Sequence, residues 1–267
     1  MPIPETDIIT VTYGNMLPVL KRTVESLYKF REAPFRLIVV NNGSRDGTAA
    51  YCAGLPDCEL IDLPENVGTV KALNLGLKKS VAPFIARMDH DVEFVMPWQS
   101  GLLGLFKTAE DVGMAGPRLL NTDGTLYAAL FSFFFKIPRI PARFKVSDPF
   151  MFPRALRRFV HYTQHSSEAD DDLVFGTRRA VYHVSGAFFV MKRAAFEKVG
   201  FPDESYPDMN GSYEDLDYTL RFVKNGFKII YEGGVKVVHH CSRPENFRPE
   251  PALWKNHLMF KEKWGFL

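Results

Sequence analysis

The chain has 267 residues, of which 46% are hydrophobic and 24% are charged, proportions typical of a globular protein. Its net charge of +2 excludes a strong overall field towards nucleic acid or anionic lipid, so any such attraction has to be local. Three cysteines, Cys52, Cys58 and Cys241, are too few and too scattered for a disulfide framework or a zinc site. There is no signal-peptide pattern, and no apolar run approaches the roughly 20 residues of a membrane span. We therefore expect a cytoplasmic protein, at most peripheral to a membrane.

Strand and helix patterns alternate along the first part of the chain. Asn15 is predicted to cap the first helix, with Pro18 in its first turn. A second helix is predicted over residues 67–79. This alternation predicts right-handed βαβ units, and therefore a Rossmann-like, mostly parallel α/β sheet flanked by helices. The four predicted strands are residues 8–12, 35–40, 59–63 and 84–88.

The second part of the chain has a different pattern. A hairpin is predicted over residues 119–126, and residues 127–180 form an elaborated loop region rich in phenylalanine and basic residues. Regular patterning then resumes with a strand, a helix, two strands and a last helix. These elements are predicted over residues 181–191, 214–225, 228–231, 235–238 and 251–264.

An acidic cluster follows the fourth predicted strand. Asp89 and Asp91 are separated by one residue, and an open parallel sheet binds its ligands beyond the carboxyl ends of its strands. Carboxylate oxygens suit Mg²⁺ or Mn²⁺, so the two acids could share a divalent cation with a phosphate ligand. The alternative is an ordinary solvated turn.

Polar loops follow the first three predicted strands. The first loop holds Thr12, Tyr13 and Asn15, the second begins at Asn41, and the third contains Asn66 and Gly68. Their amides and hydroxyls could bind a base and a ribose, and a helix start after Gly68 would favour an anion. Each loop taken alone is equally compatible with an ordinary βα turn. Together with the acidic cluster they favour a nucleotide site.

Two further clusters lie near the end of the chain. Glu214 or Asp215 could act as a general base at a helix start, although acids there also stabilise the helix dipole. Asp217 and Arg221 are predicted to form a surface pair. Either histidine at the end of a predicted strand could complete a metal site or be structural. These histidines are His239 and His240.

Taken in order, these motifs resemble the inverting family-2 glycosyltransferases, which have the GT-A fold. The resemblance covers nearly the whole chain except residues 127–180, and it implies a single domain with a small antiparallel acceptor-side region. Residues 1–117 would then form the nucleotide-sugar-binding half, and residues 118–267 the acceptor-binding and catalytic half. The matching stretches are residues 11–13, 39–48, 66–68, 72–76, 89–91, 185–187, 213–217, 227–240 and 261–264.

The resemblance also implies roles for individual residues. Asp215 would be the base, with Glu214 as its competitor, and Asp89 would face the ribose. Mn²⁺ or Mg²⁺ would be bound by Asp91, with Asp89 and one of the two histidines. The nucleotide-sugar donor would be contacted by Thr12, Tyr13, Asn15, Asn41, Asn66, Gly68, Lys71, Arg87, Asp89, Gly186 and Ala187.

One residue departs from the family pattern, which often has an aspartate where Asn41 stands. An amide can accept or donate towards a base, so UDP is favoured while dTDP and GDP stay open. The expected acceptor is a glycan, a lipid-linked saccharide or another anionic molecule, which the basic residues between 136 and 161 would bind. Alternatively, this segment is an ordinary solvated loop whose phenylalanines only pack. Nucleic acid is a less favoured acceptor. A non-catalytic nucleotide-binding scaffold and a nucleotidyltransferase are the alternatives.

Overall fold

A computed structural model describes residues 5–127, 172–206, 213–242 and 250–264. The aromatic and basic residues between 128 and 171 lie outside these ranges. The described strands are β1 Thr6–Thr12, β2 Phe35–Asn42, β3 Cys58–Leu63, β4 Phe84–Asp89, β5 Val92–Phe94, β6 Val112–Leu120, β7 Arg178–Val181, β8 Phe188–Lys192 and β9 Lys228–His239. The described α-helices are α1 Leu17–Lys29, α2 Thr48–Ala53, α3 Thr69–Lys79, α4 Gln99–Leu103, α5 Asp172–Phe175, α6 Arg193–Val199, α7 Tyr213–Lys224 and α8 Glu250–Trp264.

The described strands form one mixed sheet in the order β3-β2-β1-β4-β8-β6-β9-β5, with β7 also paired to β9. Strands β3, β2, β1 and β4 are parallel to one another, and β6 is parallel to β9. Strands β8, β5 and β7 pair in the antiparallel sense. This confirms the predicted α/β fold with a mostly parallel sheet and some antiparallel strands.

The register of the parallel strands brings the ends of several of them to one edge. Thr12 pairs with Asn41, Asn41 pairs with Asp62, and Val11 pairs with Asp89. Because parallel strands run in the same direction, the loops after β1, β2 and β4 leave the sheet on the same side. The polar loops and the acidic cluster therefore lie at one edge.

Both faces of the central strands are buried. Ile8 and Val39 pack on one face with α1, while Ile9 and Val40 pack on the other with α3. Neighbouring residues of a strand point to opposite faces, so a strand covered on both faces is continuously apolar. This explains why the apolar runs of the sequence predicted the central strands well.

The start of α1 differs from the prediction. The helix begins at Leu17 with Met16 at the N-cap and Pro18 in its first turn. Asn15 has a left-handed backbone with φ of 61° and does not cap the helix. Asp46 accepts a hydrogen bond from the Leu17 N–H at 2.8 Å instead. The prediction of Asn15 as the cap is therefore wrong, because a residue 29 positions away supplies the oxygen.

The structure corrects three other predictions. The two strands predicted over 228–231 and 235–238 are one strand, β9, whose pairing with β6 shifts between Pro117 and Arg118. The strand predicted over 181–191 is shorter, because β8 begins at Phe188. Only Val181 of that range belongs to β7, and the rest of β7 lies in the predicted loop region. The prediction of an Asp217–Arg221 surface pair is also wrong, because Asp217 is fully buried and Arg221 donates to the carbonyls of Val199 and Phe201.

Within the described ranges, no helix is long and apolar enough to cross a membrane.

Candidate active site

A cleft opens where β1 and β4 end, next to the loop before β8 and the start of α7. It is bordered on the far side by the segment that follows β9. The residues that line it are Val11, Tyr13, Thr69, Arg87, Asp89, His90, Asp91, Tyr127, Ser185, Gly186, Ala187, Glu214, Asp215, His239, Cys241 and Ser242. Most of the predicted site residues of the second half of the chain, and those at the end of β4, therefore share one cavity.

The acidic cluster meets one histidine in this cleft. The His239 Nε2 lies 3.1 Å from an Asp91 carboxylate oxygen and 3.9 Å from an Asp89 oxygen. Pairing of Val92 with His239 across β5 and β9 brings them together. One ligand atom from each of the three residues lies within 4.8 Å of the others. Two carboxylates and an imidazole are a donor set that fits Mn²⁺ or Mg²⁺.

The charges of this cluster support one another. Burial opposes a charge on His239, but its hydrogen bond to Asp91 and the charges of both acids raise its pKa to about 10. Burial likewise opposes the charge on Asp91, but its hydrogen bond with His239 and a backbone N–H from Ser242 lower its pKa. The two carboxylates thus stabilise positive charge at this point. The charge belongs to the His239 imidazolium here, and a bound cation would carry it once His239 has lost that proton.

His240 lies elsewhere. Its ring nitrogens contact the Glu93 carboxylate at 2.7 Å and the Arg22 guanidinium at 2.9 Å. Of the two histidines left open by the sequence, the structure brings His239 to the two aspartates, and His240 does not line the cleft.

The two candidate bases differ in their surroundings. Asp215 accepts hydrogen bonds from the backbone N–H groups of Gly186 at 3.0 Å and Leu216 at 2.7 Å. Glu214 is more buried and lies 3.6 Å from the Arg87 guanidinium. Burial and the nearby charge of Asp215 raise the pKa of Glu214 to about 8, even though Arg87 opposes the shift. The raised pKa favours the protonated form of Glu214, which disfavours it as the base.

Arg87 connects the two acidic clusters. Its buried guanidinium lies 3.9 Å from Asp89 and 3.6 Å from Glu214. A Cβ added at Gly186 would lie 2.7 Å from this guanidinium, so only glycine fits there. The predicted residues Arg87, Gly186 and Ala187 all lie in the cleft.

The predicted nucleotide residues of the first three loops are only partly brought to the cleft. Tyr13 lines it, and Thr12 is fully buried beside it at the end of β1. Asn41 is buried, and its amide nitrogen donates to the Ser44 carbonyl at 3.0 Å and to Asp62 at 2.7 Å. Its amide oxygen accepts from the Ser44 N–H at 3.1 Å, so its polar groups organise the loop.

The other members of this group lie outside the cleft lining. Asn66 accepts hydrogen bonds from the Asn42 amide and the Gly68 N–H, both at 2.9 Å. Gly68 has φ of 87° and immediately precedes α3, where a left-handed backbone favours glycine. Asn15 and Lys71 are exposed. The structure therefore gives Asn66 and Gly68 a role in shaping the loop.

Sequence reasoning missed several residues of the cleft. Cys241 and Ser242 follow the histidine pair directly, and that adjacency was a usable signal. Tyr127 had no signal, because it lies after a turn and far along the chain from the residues it meets. The Nε2 of His90 is buried without a hydrogen-bond partner in the described part of the chain, as are Glu214 Oε2 and Thr12 Oγ1. Buried polar atoms are normally paired, so these atoms suit a site that takes a polar ligand.

Solved structures share this fold. GalNAc-T7, crystallised with UDP, GalNAc and Mn²⁺, aligns with a TM-score of 0.64 and 15% identity over 98% of this chain and 48% of its own. Staphylococcus aureus TarS 1–349 in complex with UDP-GlcNAc gives 0.63 and 15% over 97% and 66%. The mannosyltransferase PcManGT of Pyrobaculum calidifontis, in complex with GDP-Man and Mn²⁺, gives 0.57 and 16% over 96% and 70%. The chain spans about half the length of the first of these structures.

These likenesses define the class: the mixed sheet is a GT-A-like fold of the kind found in glycosyltransferases. Residues 7–200 match the family described as Glycosyl transferase family 2, so the chain belongs to that family of enzymes. A curated relative is the N-acetylglucosaminyl-diphospho-decaprenol L-rhamnosyltransferase of Mycobacterium tuberculosis. It is 26% identical over 94% of this chain and 80% of its own length. The resemblance inferred from the motifs is thereby confirmed.

Proposed function

We propose that this enzyme transfers a sugar from a nucleoside diphosphate sugar to an acceptor hydroxyl, with inversion at the anomeric carbon. The observation that carries the proposal is the shared cleft, in which Asp89, Asp91 and His239 face the same cavity as Asp215. A donor diphosphate and an acceptor hydroxyl need these two kinds of group on opposite sides of one sugar. The three solved structures described above were obtained with a nucleotide or a nucleotide sugar.

The residues of the cleft have distinct tasks in this proposal. Asp91, Asp89 and His239 would hold Mn²⁺ or Mg²⁺, which, when bound, offsets the charge of the departing diphosphate. Asp215 takes the proton of the acceptor hydroxyl as the new bond to the anomeric carbon forms and the bond to the diphosphate breaks. The N–H groups of Gly186 and Leu216 keep the Asp215 carboxylate in place. Arg87 lies between Asp89, on the donor side, and Glu214, next to the base, and holds the two acids at a fixed distance.

A lipid-linked saccharide is the acceptor that we propose, with the enzyme at the cytoplasmic side of a membrane as a peripheral protein. The Mycobacterium relative supports this, because its name specifies a diphospho-decaprenol substrate. Nucleic acid is less favoured, because the net charge is only +2. Membership of the family favours glycosyl transfer over the nucleotidyltransferase and the scaffold that the motifs alone left open.

The donor nucleotide is proposed to be UDP, with dTDP and GDP as alternatives. Because the polar groups of Asn41 bond to Ser44 and Asp62, base selection would depend on other groups at the end of β1, such as Tyr13. Incubation with UDP-, dTDP- and GDP-sugars and Mn²⁺, without acceptor, tests the donor through slow release of the nucleoside diphosphate. Release of pyrophosphate would indicate a nucleotidyltransferase instead.

Two variants test the assigned roles. We expect Asp91→Ala and Asp215→Asn each to abolish transfer while the protein stays folded, because one removes a cation ligand and the other the proton acceptor. Product formation and circular dichroism are the measurements. Turnover near that of the wild type in either variant would contradict the corresponding assignment. Glu214→Gln is the matched control for the base, and it should retain more activity than Asp215→Asn.

A further inference from the structure

The segment that follows β9 is built around the acidic cluster. The Ser242 N–H donates to one Asp91 oxygen at 2.6 Å, while the other oxygen contacts the His239 Nε2 at 3.1 Å. The His240 N–H donates to the Asp91 carbonyl at 3.0 Å. Two positions after the strand, His240 and Ser242, thus help to position Asp91, and the residue between them is Cys241.

Cys241 contacts the other side of the His239 ring. Its sulfur lies 3.8 Å from the His239 Nδ1, and the Tyr127 ring meets the imidazole edge-on with 4.5 Å between ring centres. The ring is therefore held by a sulfur at Nδ1, a carboxylate at Nε2 and an aromatic ring on its flank. Cys241 also borders the cleft and is exposed.

The backbone of Cys241 has an unfavourable conformation. Its φ is 51°, in the left-handed region that non-glycine residues rarely occupy. Such a conformation persists only where the surrounding structure requires it. Here it allows the sulfur to reach His239 while the next N–H reaches Asp91. If the Cys241 side chain had no role, glycine would be the more favourable residue at this position, because it adopts a positive φ without strain.

We propose that Cys241 is a positioning residue whose sulfur orients the His239 imidazole so that Nε2 is directed at the cation site formed with Asp89 and Asp91. The inference rests on the proposed function, since it presumes that the cluster holds a divalent cation. A histidine that ligates a metal normally donates its other ring N–H to a carboxylate, a carbonyl or water, and this partner fixes the ring and its tautomer. In this proposal the Nδ1–H donates to the sulfur, and a cation would take the place of the Nε2 proton that is shared with Asp91.

The test is Mn²⁺ binding to the full chain without nucleotide, followed by electron paramagnetic resonance of the free ion. Cys241→Ala should weaken Mn²⁺ binding by about tenfold, the lower end of the usual range for such partners, because sulfur is a weak acceptor. Cys241→Ser should lose less, because a hydroxyl can accept from the same Nδ1–H. Cys241→Gly should lose at least as much as the alanine variant, although it relieves the backbone.

The glycine variant separates positioning from a merely structural role. If Cys241 only shaped the backbone, Cys241→Gly would bind Mn²⁺ as the wild type does. In turnover, the Mn²⁺ concentration for half-maximal rate should rise while kcat at saturating Mn²⁺ is retained. Cys58→Ala is the matched control, because Cys58 lies at the start of β3, at the end of the strand away from the cleft. This variant should leave Mn²⁺ binding unchanged.

Asp91→Ala separates failure of this inference from failure of the proposed function. If Asp91→Ala loses Mn²⁺ binding but all three Cys241 variants bind Mn²⁺ with wild-type affinity, the positioning role is wrong and the proposed site stands. If Asp91→Ala retains wild-type Mn²⁺ binding, the cation site is not here, and the inference falls with that part of the proposed function.

Discussion

At the scale of individual residues, a single glycine determines how the side chains of the cleft pack. The Arg87 guanidinium lies against the backbone of Gly186 and between Asp89 and Glu214. The same glycine donates its N–H to the candidate base Asp215. Gly186 therefore makes room for the Arg87 guanidinium and also holds the Asp215 carboxylate. Its lack of a side chain explains the glycine in the motif at 185–187.

We expect Gly186→Ala to impair the proposed transfer by about tenfold to a hundredfold, because a displacement near 1 Å in the reacting groups can have that effect. The added methyl would lie 2.7 Å from the guanidinium, which cannot move without leaving its two acidic partners. Steady-state kcat and the melting temperature are the measurements. Gly104→Ala is the control, since a Cβ there meets nothing within 4 Å and the backbone is helical. Equal effects of both variants would contradict the explanation.

The raised pKa of Glu214 predicts a pH-dependent stability. Burial and the charge of Asp215 raise this pKa from 4.5 to about 8, so the folded chain binds the proton more tightly than the unfolded chain. The contribution is complete below about pH 4.5 and is lost as the pH rises through about 8. Glu214→Gln cannot ionise, so its free energy of unfolding should gain on that of the wild type between these limits. Urea denaturation at several pH values measures the difference, and a pH-independent difference would refute the assignment.

Strand β9 shows how one element adapts to its neighbours. Glu232 pairs with Pro117 and Lys236 with Arg118, so three residues of β9 lie between two consecutive partners on β6. A bulge of this kind bends and twists a strand. Two of the inserted residues are glycines, which the sequence suggested as a break between two strands. The bulge keeps β9 continuous as far as His239, which then reaches the acidic cluster.

Gly233→Ala should destabilise the chain by about 1–3 kcal/mol, the usual effect of overpacking, because a Cβ there would lie 1.9 Å from the Phe175 carbonyl oxygen. Gly234→Ala is the neighbouring control. Its nearest contact is the end of the Glu232 side chain at 3.1 Å, which can move. Urea denaturation of the two variants provides the comparison. A larger loss of stability in Gly234→Ala than in Gly233→Ala would show that the close approach to Phe175 is not what constrains the bulge.

At the scale of the whole molecule, the end of the chain closes against the helix that bears the candidate base. Asp217 on α7 is fully buried and accepts hydrogen bonds from Trp264 at 2.8 Å and from Lys263. Both partners lie on α8, 46 and 47 positions further along the chain. The acid predicted to lie on the surface is therefore the attachment point of the last helix.

We expect Asp217→Ala to lower the free energy of unfolding by about 1–3 kcal/mol, because the partly buried Trp264 N–H and the Lys263 ammonium both lose their acceptor. Asp203, which also pairs with Lys263 but is 30% exposed, is the matched control. Asp203→Ala should have an effect below about 1 kcal/mol, as for exposed ion pairs. Thermal and urea denaturation test the pair, and equal losses would show that burial does not distinguish the two acids.

The sequence by itself determined the features that depend on neighbouring residues. The continuously apolar strands, the acids directly after β4 and the acids at the start of α7 are all local, and their order indicated the family. The sequence did not determine the roles of Asn15, Asn41 and Asn66, because polar residues after strands can bind a ligand or stabilise the loop itself. The structure shows Asn41 bonded to Ser44 and Asn66 bonded to Gly68, each within its own loop, while Asn15 is exposed.

Only the tertiary structure decided between His239 and His240. Neighbouring residues of a strand point to opposite faces, so only one of the two can face the aspartates. Which one does so depends on the register of β9 with β5, where Val92 pairs with His239. That register and the contact of the Arg87 guanidinium with Gly186 arise between segments distant in the chain. No local pattern encodes them, because they follow from how the strands pair and how the side chains pack.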